Sequence, residues 1–439
     1  MAVYLVKTEK VIKSPLEGIR WHLDSPCNDD SIEGDELSRK GLMFQGWLLN
    51  ETELSVSLVV LSGDDVIPVA VNRPRPDVIT RLLKKDPEIH PLCCCGFSEK
   101  IKLKQAKFSV GIVADGIFTE LFVGSINGKF KILEGKNNWL FLDNDSNKSV
   151  EQHTGKLKLS RTAKAGWKKY LSSMSNFSSS SNIPVCLLVA PSKEQVYSTY
   201  YPHKFSKNAP ICKLLAMIPK DLNFIFPLNE LKNSEKRSFR VCDTHWTLHG
   251  ARLASQLVAS KLSTNSLDYF DVFGQDEYRG RKSCGDLGSK LYPTQKHSED
   301  NLINYSYRKS VVFDNKVENF GRVIVTRNDE AVMDKTLLLF GSSSSYTMLH
   351  FMCRLYSKLV FVHTAGNVDH QVVGEVKPDC ICLQTNARFV VKAPSFNDSV
   401  ENYITQKKSN GKLEAPLIVD STNKDSMHII NYFLEMLKD

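Results

Sequence analysis

Short buried strands alternate with amphipathic helices over much of this chain, and this alternation limits the fold more than any other feature. The strand signals are Val185–Ala190, Phe224–Pro227, Leu337–Phe340, Leu359–His363 and Cys380–Leu383. Apolar residues recur with helical spacing at 161–174, 194–200, 248–262, 346–357 and 368–376. This βαβ rhythm predicts an α/β fold, a doubly wound parallel sheet with helices on both faces. Functional loops are then expected at the carboxyl ends of the strands.

The first part of the chain has a different pattern. Short runs of alternating apolar residues are interrupted by Gly and Asp, which predicts an antiparallel β-sandwich. We therefore expect two domains, a sandwich at 1–128 and an α/β domain at 129–439. The sandwich either binds glycans, with Tyr4, Trp21 or Trp47 as stacking platforms, or serves packing or dimerisation with Trp47 in its core. Dimerisation through this domain would make the protein a homo-oligomer.

Two local patterns supply the chemistry. The run CDTHWTLHG places Asp243 two residues before His245, where its carboxylate can accept the imidazole N–H and leave the other ring nitrogen free as a base. The strand Leu337–Phe340 runs into GSSSSY (341–346), followed by a helical pattern. A serine on a tight turn between strand and helix is a typical position for a nucleophilic hydroxyl.

Further blocks accompany these two patterns in the chain. They are NWLFLD (138–143), HTG (153–155), VAPSKEQVY (189–197) with YP (201–202), GDLG (285–288) and KPD (377–379). In this order, the blocks resemble the SGNH-hydrolase-like O-acetyltransferases that modify bacterial polysaccharides, the family of the alginate acetylation proteins. The resemblance covers roughly residues 130–395. The specificity lies in the series and not in a single motif.

The resemblance implies Asp243 as the orienting acid, His245 as the base and Ser343 as the nucleophile, because the family pattern is Gly-x-Ser. Ser342 stands where the superfamily often has Asp, and a shifted register would nominate Ser345 instead. A serine nucleophile needs its proton removed and an oxyanion site of fixed N–H donors. The backbone N–H at the turn is one expected donor, and Asn386 is a candidate for another.

Other residues are predicted as substrate contacts or as structural groups. Trp246 either stacks on a sugar or belongs to the core, and Asp286 either caps a helix or contacts substrate. Ser345 and Tyr346 are further candidate contacts at the same turn. His153, His203 and His350 match no ligand spacing, so we predict no metal site.

The composition limits the binding partners and the cellular compartment that we expect for this protein. The formal net charge of +8 is modest for 439 residues, the basic residues are scattered, and no nucleic-acid-binding motif occurs. An acidic glycan or the phosphates of coenzyme A would suit this charge. The eleven cysteines form no disulfide pattern, and no leader or transmembrane stretch is apparent. We expect a cytoplasmic protein with no bound cofactor and with acetyl-CoA as donor, or a periplasmic one if a leader was removed.

These observations predict a serine O-acetyltransferase that acts on a capsular or exopolysaccharide, or on its precursor, through an acetyl-serine intermediate. A carbohydrate O-acetyl esterase would use the same Ser, His and Asp. A non-catalytic glycan-binding protein is the alternative from another class. The acceptor would be a polysaccharide or oligosaccharide in each case, and nucleic acid is not expected as a partner.

Overall fold

The computed structural model describes residues 3–11, 17–128, 132–263, 269–409, 411, 413–419 and 424–438. Contacts divide the chain into two compact units. Unit 1 comprises Met1–Ile132 and Asp286–Lys296, and unit 2 comprises Leu133–Gly285 and His297–Asp439. The sequence predicted one boundary, between 128 and 129. It did not predict that Asp286–Lys296, the returning segment, belongs to unit 1.

Unit 1 is built from antiparallel strands. They are β1 (Val3–Lys10), β2 (Ile19–Ser25), β3 (Ser31–Glu33), β4 (Leu42–Asn50), β5 (Val56–Ser62), β6 (Asp65–Val69), β7 (Gly96–Ile101), β8 (Lys107–Ala114) and β9 (Ile117–Gly128). One sheet has the order β3-β1-β9-β8-β5-β6 and the other β2-β4-β7. Buried residues of both sheets, such as Val6, Phe44 and Val110, form one apolar core, which is the arrangement of a β-sandwich.

The aromatic residues of unit 1 are mostly internal. Tyr4 is 2% exposed and Trp21 8%, so neither offers a ring face to a glycan as the sequence suggested. The Tyr4 hydroxyl donates to the carbonyl oxygens of Ser289 and Leu291, at 2.5 and 2.9 Å, within the returning segment of the same unit. Trp47 is half-buried and its ring stacks on His22 at 6.3 Å between centroids. Of the three aromatic residues predicted as stacking platforms, Trp47 is therefore the one that is not buried.

The later strands are β10 (Ile132–Glu134), β11 (Leu140–Leu142), β12 (Val185–Ala190), β13 (Phe224–Ile225), β14 (Tyr278–Ser283), β15 (His297–Leu302), β16 (Val311–Asp314), β17 (Val323–Arg327), β18 (Met333–Gly341), β19 (Tyr356–His363), β20 (Cys380–Asn386) and β21 (Leu417–Ile418). The central sheet has the order β13-β12-β20-β18-β19-β17-β16-β21. Its strands from β13 to β19 in this order pair in parallel.

The other edge of this sheet is antiparallel, because β17 pairs antiparallel with β19, β16 with β17, and β21 with β16. The sheet is thus mixed, whereas the sequence predicted parallel strands only. The segments that carried the prediction are all in the parallel part. The strands β16 and β17 of this edge were missed because they are short and are joined by a loop rather than by a helix.

The helices are α1 (Gly34–Lys40), α2 (Pro76–Val78), α3 (Ser149–His153), α4 (Arg161–Ser181), α5 (Lys193–Val196), α6 (Pro210–Leu215), α7 (Leu228–Lys232), α8 (Leu248–Leu262), α9 (Tyr269–Phe273), α10 (Gly285–Gly288), α11 (Ser345–Leu355), α12 (His370–Val376), α13 (Val400–Ser409) and α14 (Lys424–Glu435). Side chains cap several of their N-termini. The hydroxyl of Ser160 accepts from the Ala163 N–H at α4, and the Asp369 carboxylate accepts from Gln371 and Val372 at α12. Within the described residues, every helix is too short or too polar to cross a membrane.

Helices cover both faces of the central sheet. Alternate strand residues such as Leu187, Leu338 and Val360 share a core with α4, α12, α13 and α14. The intervening strand residues point the other way, where α8 contacts β12 and α11 contacts β19 and α8. Because the helices shield the faces, the loops at the strand ends remain as the place where polar groups can converge.

Candidate active site

The serine-rich turn joins β18 to α11. The last strand residue, Gly341, has no room for a side chain, since a Cβ there would lie 2.1 Å from the Ser345 hydroxyl oxygen. The turn passes through Ser342 and Ser344, both buried, while Ser343 between them is half-buried. The Ser343 backbone N–H makes no hydrogen bond within the described part of the chain, so this donor is available to a ligand.

The Asp243–His245 turn lies just before α8. The hydroxyl of Thr247 caps this helix by accepting from the Gly250 N–H. Backbone pairing of Phe239 with Trp246, and the bond from the Arg240 N–H to the His245 carbonyl at 3.1 Å, close the turn into a hairpin. The imidazole is therefore presented from a backbone that is fixed on both sides.

The two turns meet through an unbroken series of hydrogen bonds. His245 Nδ1 lies 2.7 Å from Asp243 Oδ1, and His245 Nε2 lies 2.9 Å from Ser343 Oγ. The His245 backbone N–H also donates to Asp243 Oδ1 at 2.9 Å. Burial opposes ionisation of Asp243, but its interactions with His245, the hydrogen bonds first among them, and the nearby Arg240 guanidinium hold its pKa well below the usual range. An ionised carboxylate next to the imidazole orients its ring and stabilises its charged form.

Two amide side chains at the end of β20 hold the serine turn. Gln384 Oε1 accepts from the Ser342 N–H and from the hydroxyls of Ser342 and Ser345, each at 2.8 Å. Asn386 Nδ2 donates to Ser342 Oγ at 3.2 Å, and its Oδ1 accepts from Ser344 Oγ at 3.1 Å. Ser345 is 0% exposed and committed to Gln384, which leaves Ser343 as the serine within reach of His245.

Trp246 is not a sugar-stacking wall. Its ring is 1% exposed, and its Nε1 donates to the Ser344 carbonyl oxygen at 2.7 Å. A buried indole cannot offer a face to substrate, so this part of the prediction is wrong. The ring instead ties the histidine turn to the serine turn.

Lys193 is the functional residue that the sequence reasoning missed. Its side chain is buried, and its ammonium group donates to the carbonyl oxygens of Leu140, Val241 and Asp243 at 2.6, 2.8 and 3.0 Å. It lies over the rings of Trp139 and Phe141, each 5.1 Å from the ring centroid. Its place in the block VAPSKEQVY (189–197) was the available signal, but only the fold shows that it supports the backbone of Asp243.

The GDLG block contributes a glycine against the same carboxylate. Gly285 has φ +57°, and a Cβ there would lie 2.7 Å from Asp243 Oδ2 and 2.5 Å from the Cys242 carbonyl oxygen. Only glycine fits both the backbone conformation and the space. Asp286 belongs to the returning segment of unit 1, and its predicted contact with substrate stays a prediction.

A second histidine lies at the end of β19. The backbone of His363 is paired with Gly341, and its Nδ1 lies 3.1 Å from the Tyr346 hydroxyl. Arg322 lies over the Tyr346 ring at 5.4 Å and binds the Asp314 carboxylate. Tyr346, one of the predicted substrate contacts, is thus half-buried and oriented by its neighbours.

Buried histidines make unit 2 sensitive to acid. Burial is the largest cause that lowers the pKa of His153, His350 and His363, each to about 4. In the unfolded chain a histidine has a pKa of about 6.5, so between these values the unfolded chain binds more protons. The contribution of these histidines to the free energy of unfolding is full at neutral pH and is lost as the pH falls from about 6.5 to 4. Each histidine loses on the order of 1 kcal/mol per pH unit, so the three together lose several kcal/mol. Urea unfolding at intervals between pH 7.5 and 4.5 measures this slope.

His153→Gln is expected to make the slope shallower, because both ring nitrogens of His153 are buried without a hydrogen-bond partner in the described structure. His370→Gln is the matched control, since His370 is exposed on α12. Equal slopes for His153→Gln and the unaltered protein would contradict the prediction.

Comparisons with known proteins yield similarity of structure only. No family model matches the chain, and no curated protein matches it in sequence. Bacillus cereus PatB1 is similar in structure, with a TM-score of 0.45 at 12% identity over 62% of this chain and 98% of that one. The O-acetyltransferase domain of Pseudomonas putida AlgJ has a TM-score of 0.35 at 13% identity over 63% of this chain and 99% of that one. Pseudomonas aeruginosa AlgX has a TM-score of 0.35 at 13% identity over 60% and 67% of the respective chains.

Proposed function

We propose that this protein is a serine-dependent O-acetyltransferase that acts on a bacterial surface polysaccharide, capsular or exopolysaccharide, or on its precursor. The observation that carries the proposal is the series of hydrogen bonds from Asp243 through His245 to Ser343. The series joins two turns that are 98 residues apart in the chain, and the serine residue at its end is half-buried.

The reaction begins with attack on the acetyl donor. Ser343 Oγ attacks the acetyl carbonyl carbon while His245 Nε2 takes the hydroxyl proton. The carbonyl oxygen becomes an oxyanion, and the free Ser343 N–H is positioned at the helix N-terminus to stabilise it. Asn386 has a second amide hydrogen beyond the one bound to Ser342 and is the proposed second donor.

The tetrahedral intermediate collapses to acetyl-Ser343. The bond to the leaving group breaks, and this group takes the proton from His245; with acetyl-CoA, the donor that we favour, it leaves as a thiol. A sugar hydroxyl of the acceptor then attacks the acetyl carbon and loses its proton to His245. The sugar ester forms, Ser343 Oγ recovers the proton, and the resting state is restored.

Mass spectrometry of the protein after incubation with p-nitrophenyl acetate or acetyl-CoA tests this proposal. We expect one acetyl group on the peptide that contains Ser343, and its loss when an acceptor oligosaccharide is added, with the acetyl group recovered on the sugar. Loss of the adduct to water alone, with no acetylated sugar, would identify an esterase instead. Absence of any adduct on this peptide would contradict the proposal and favour a protein that only binds glycans.

A further inference from the structure

The positive charge of the chain is concentrated in one segment of unit 2. Residues 152–220 contain eleven Lys or Arg residues and one acidic residue, Glu194. The formal net charge of this segment is therefore +10, whereas that of the whole chain is +8, so the remaining residues together carry −2. A region of one sign on a protein attracts a partner of the opposite charge.

Six of these cations form an exposed group, which we call the basic surface: Lys156, Lys158, Arg161, Lys164, Lys168 and Lys169. The first two precede α4, and the other four lie on this helix. Arg161, Lys164 and Lys168 are separated by three and four positions, so they are neighbours on one face of the helix. Neighbouring like charges destabilise a helix, so local helix stability does not explain this arrangement.

The basic surface is not neutralised from within unit 2. In the described part of the chain, none of its six cations forms an ion pair with a carboxylate. Helix α4 itself contains no Asp or Glu. Glu151, just before the basic surface in the chain, pairs with Lys148 instead, and Glu194 lines a small cavity with Ser192 and Gln195. The cations are therefore available to an external anion.

An exposed phenylalanine lies in a loop that also belongs to the basic segment. Phe205 is 44% exposed, although a phenylalanine side chain is usually buried. Lys204 precedes it and Lys207 follows two residues later, and both are exposed. The Phe205 ring lies 5.1 Å from that of His153, measured between centroids, and the Ser206 N–H donates to the His153 carbonyl oxygen at 2.9 Å. The ring is thus held at the surface by an ordered loop.

The loop of Phe205 is packed against the start of the basic surface. Gly155, next to Lys156, approaches it so closely that a Cβ would lie 2.4 Å from Ser206 Oγ and 3.2 Å from Asn208 Cβ. The exposed ring and the cations therefore form one continuous region. Cations beside a protruding aromatic ring are typical of proteins that bind at the interface of an anionic membrane. A soluble polyanion would engage the cations but would leave the ring in water.

We propose that this region docks unit 2 on an anionic lipid membrane, with the cations at the lipid phosphates and Phe205 inserted at the boundary of the acyl chains. Each Lys or Arg near such a membrane strengthens binding about fivefold, so several cations acting together suffice for reversible attachment. The 21 residues of α4 span about 30 Å, which is enough to cover several lipid head groups. The inference goes beyond the proposed function, because it assigns a binding surface that does not involve Ser343.

Sedimentation of the full chain with sucrose-loaded vesicles tests the inference. The vesicles contain phosphatidylcholine alone or phosphatidylcholine with about 30% phosphatidylglycerol, and binding is measured at low salt and at about 0.5 M NaCl. The variants are Lys164→Gln/Lys168→Gln and Phe205→Ser. Lys84→Gln/Lys85→Gln, which alters exposed lysines of unit 1, is the matched control for loss of positive charge. A short DNA duplex is the soluble polyanion.

We expect the protein to bind vesicles that contain phosphatidylglycerol, to ignore phosphatidylcholine alone, and to dissociate at high salt because salt screens the charges. The α4 lysine pair should weaken binding at least about tenfold, and Phe205→Ser should also weaken it at least about tenfold. The unit 1 pair should leave binding unchanged. Because all these side chains are exposed, each variant should retain the circular dichroism spectrum and the rate of p-nitrophenyl acetate hydrolysis.

A tryptophan at position 205 reports insertion directly. In the Phe205→Trp protein, lipids with brominated acyl chains should quench more of the fluorescence than in the unaltered protein, which has five tryptophans of its own. No binding to anionic vesicles, equal binding to neutral ones, equal effects of the two lysine pairs, or no added quenching would overturn the inference. Binding of the DNA duplex without binding of vesicles would overturn it as well and would assign the basic surface to a nucleic acid. None of these outcomes depends on acetylation of Ser343.

Discussion

Alanine in place of Ser343 is expected to lower the rate of p-nitrophenyl acetate hydrolysis by about 1,000-fold or more, because loss of one member of a Ser-His-Asp series removes most of its catalytic effect. The Ser343 hydroxyl is the one that His245 Nε2 contacts, at 2.9 Å. Its removal leaves no buried polar group without a partner, so the free energy of unfolding should change little. Burst-phase kinetics with the unaltered protein and the variant measures the effect.

Ser345→Ala is the discriminating control. Ser345 is 0% exposed and donates to Gln384 Oε1, so its loss should cost about 1 kcal/mol of stability while most of the activity remains. If Ser345→Ala abolished acetyl release in a folded protein and Ser343→Ala did not, the nucleophile would be Ser345 and the proposed geometry would be wrong.

Lys193→Met is expected to produce the second-largest effect. The ammonium group binds three backbone carbonyl oxygens, those of Leu140, Val241 and Asp243. Methionine has a similar length but no donor, so these buried acceptors lose their partner at a cost of about 1–3 kcal/mol each, and the total should reach about 3 kcal/mol or more. Urea unfolding monitored by circular dichroism measures the loss.

Lys193 acts on the reaction through Asp243, as a positioning residue. At a temperature where the variant is folded, we expect kcat to fall at least about tenfold with little change in KM, because the orientation of His245 is disturbed and the substrate contacts are not. Lys168→Met, an exposed change on α4, should alter neither quantity. If the free energy of unfolding of the Lys193→Met protein equalled that of the unaltered protein within error, Lys193 would not support the backbone of Asp243. If KM alone changed, Lys193 would not be a positioning residue.

Much of the fold follows from local patterns. The strand segments that the sequence predicted, from Val185–Ala190 to Cys380–Leu383, each pair in parallel with a neighbour, and Leu359–His363 also pairs antiparallel with β17. Continuous apolar runs between amphipathic helices favour parallel pairing. The antiparallel edge was not predicted, since β16 and β17 are short and lie in a segment without a helical pattern. Asp286–Lys296 also packs with unit 1 against expectation, because composition alone does not reveal which core a loop joins.

The candidate site also combines features that local sequence patterns predict with features that they do not predict. The spacing of Asp243 and His245 was sufficient to predict their hydrogen bond, which depends on neighbours in the chain. Trp246 was left as either a sugar-stacking residue or a core residue, because an aromatic residue looks the same in sequence whether it is buried or exposed. The structure supports the core position.

Local patterns in the sequence predicted the strands of the parallel part of the sheet, the helices between them and the residue types that can carry acyl transfer. These properties depend on periodicity and on turn residues within about ten positions. The folded structure was needed to show which serine faces His245, that Trp246 is internal, and that Lys193 supports Asp243. The reason is physical: each of these depends on side-chain direction and on contacts between segments that only folding brings together.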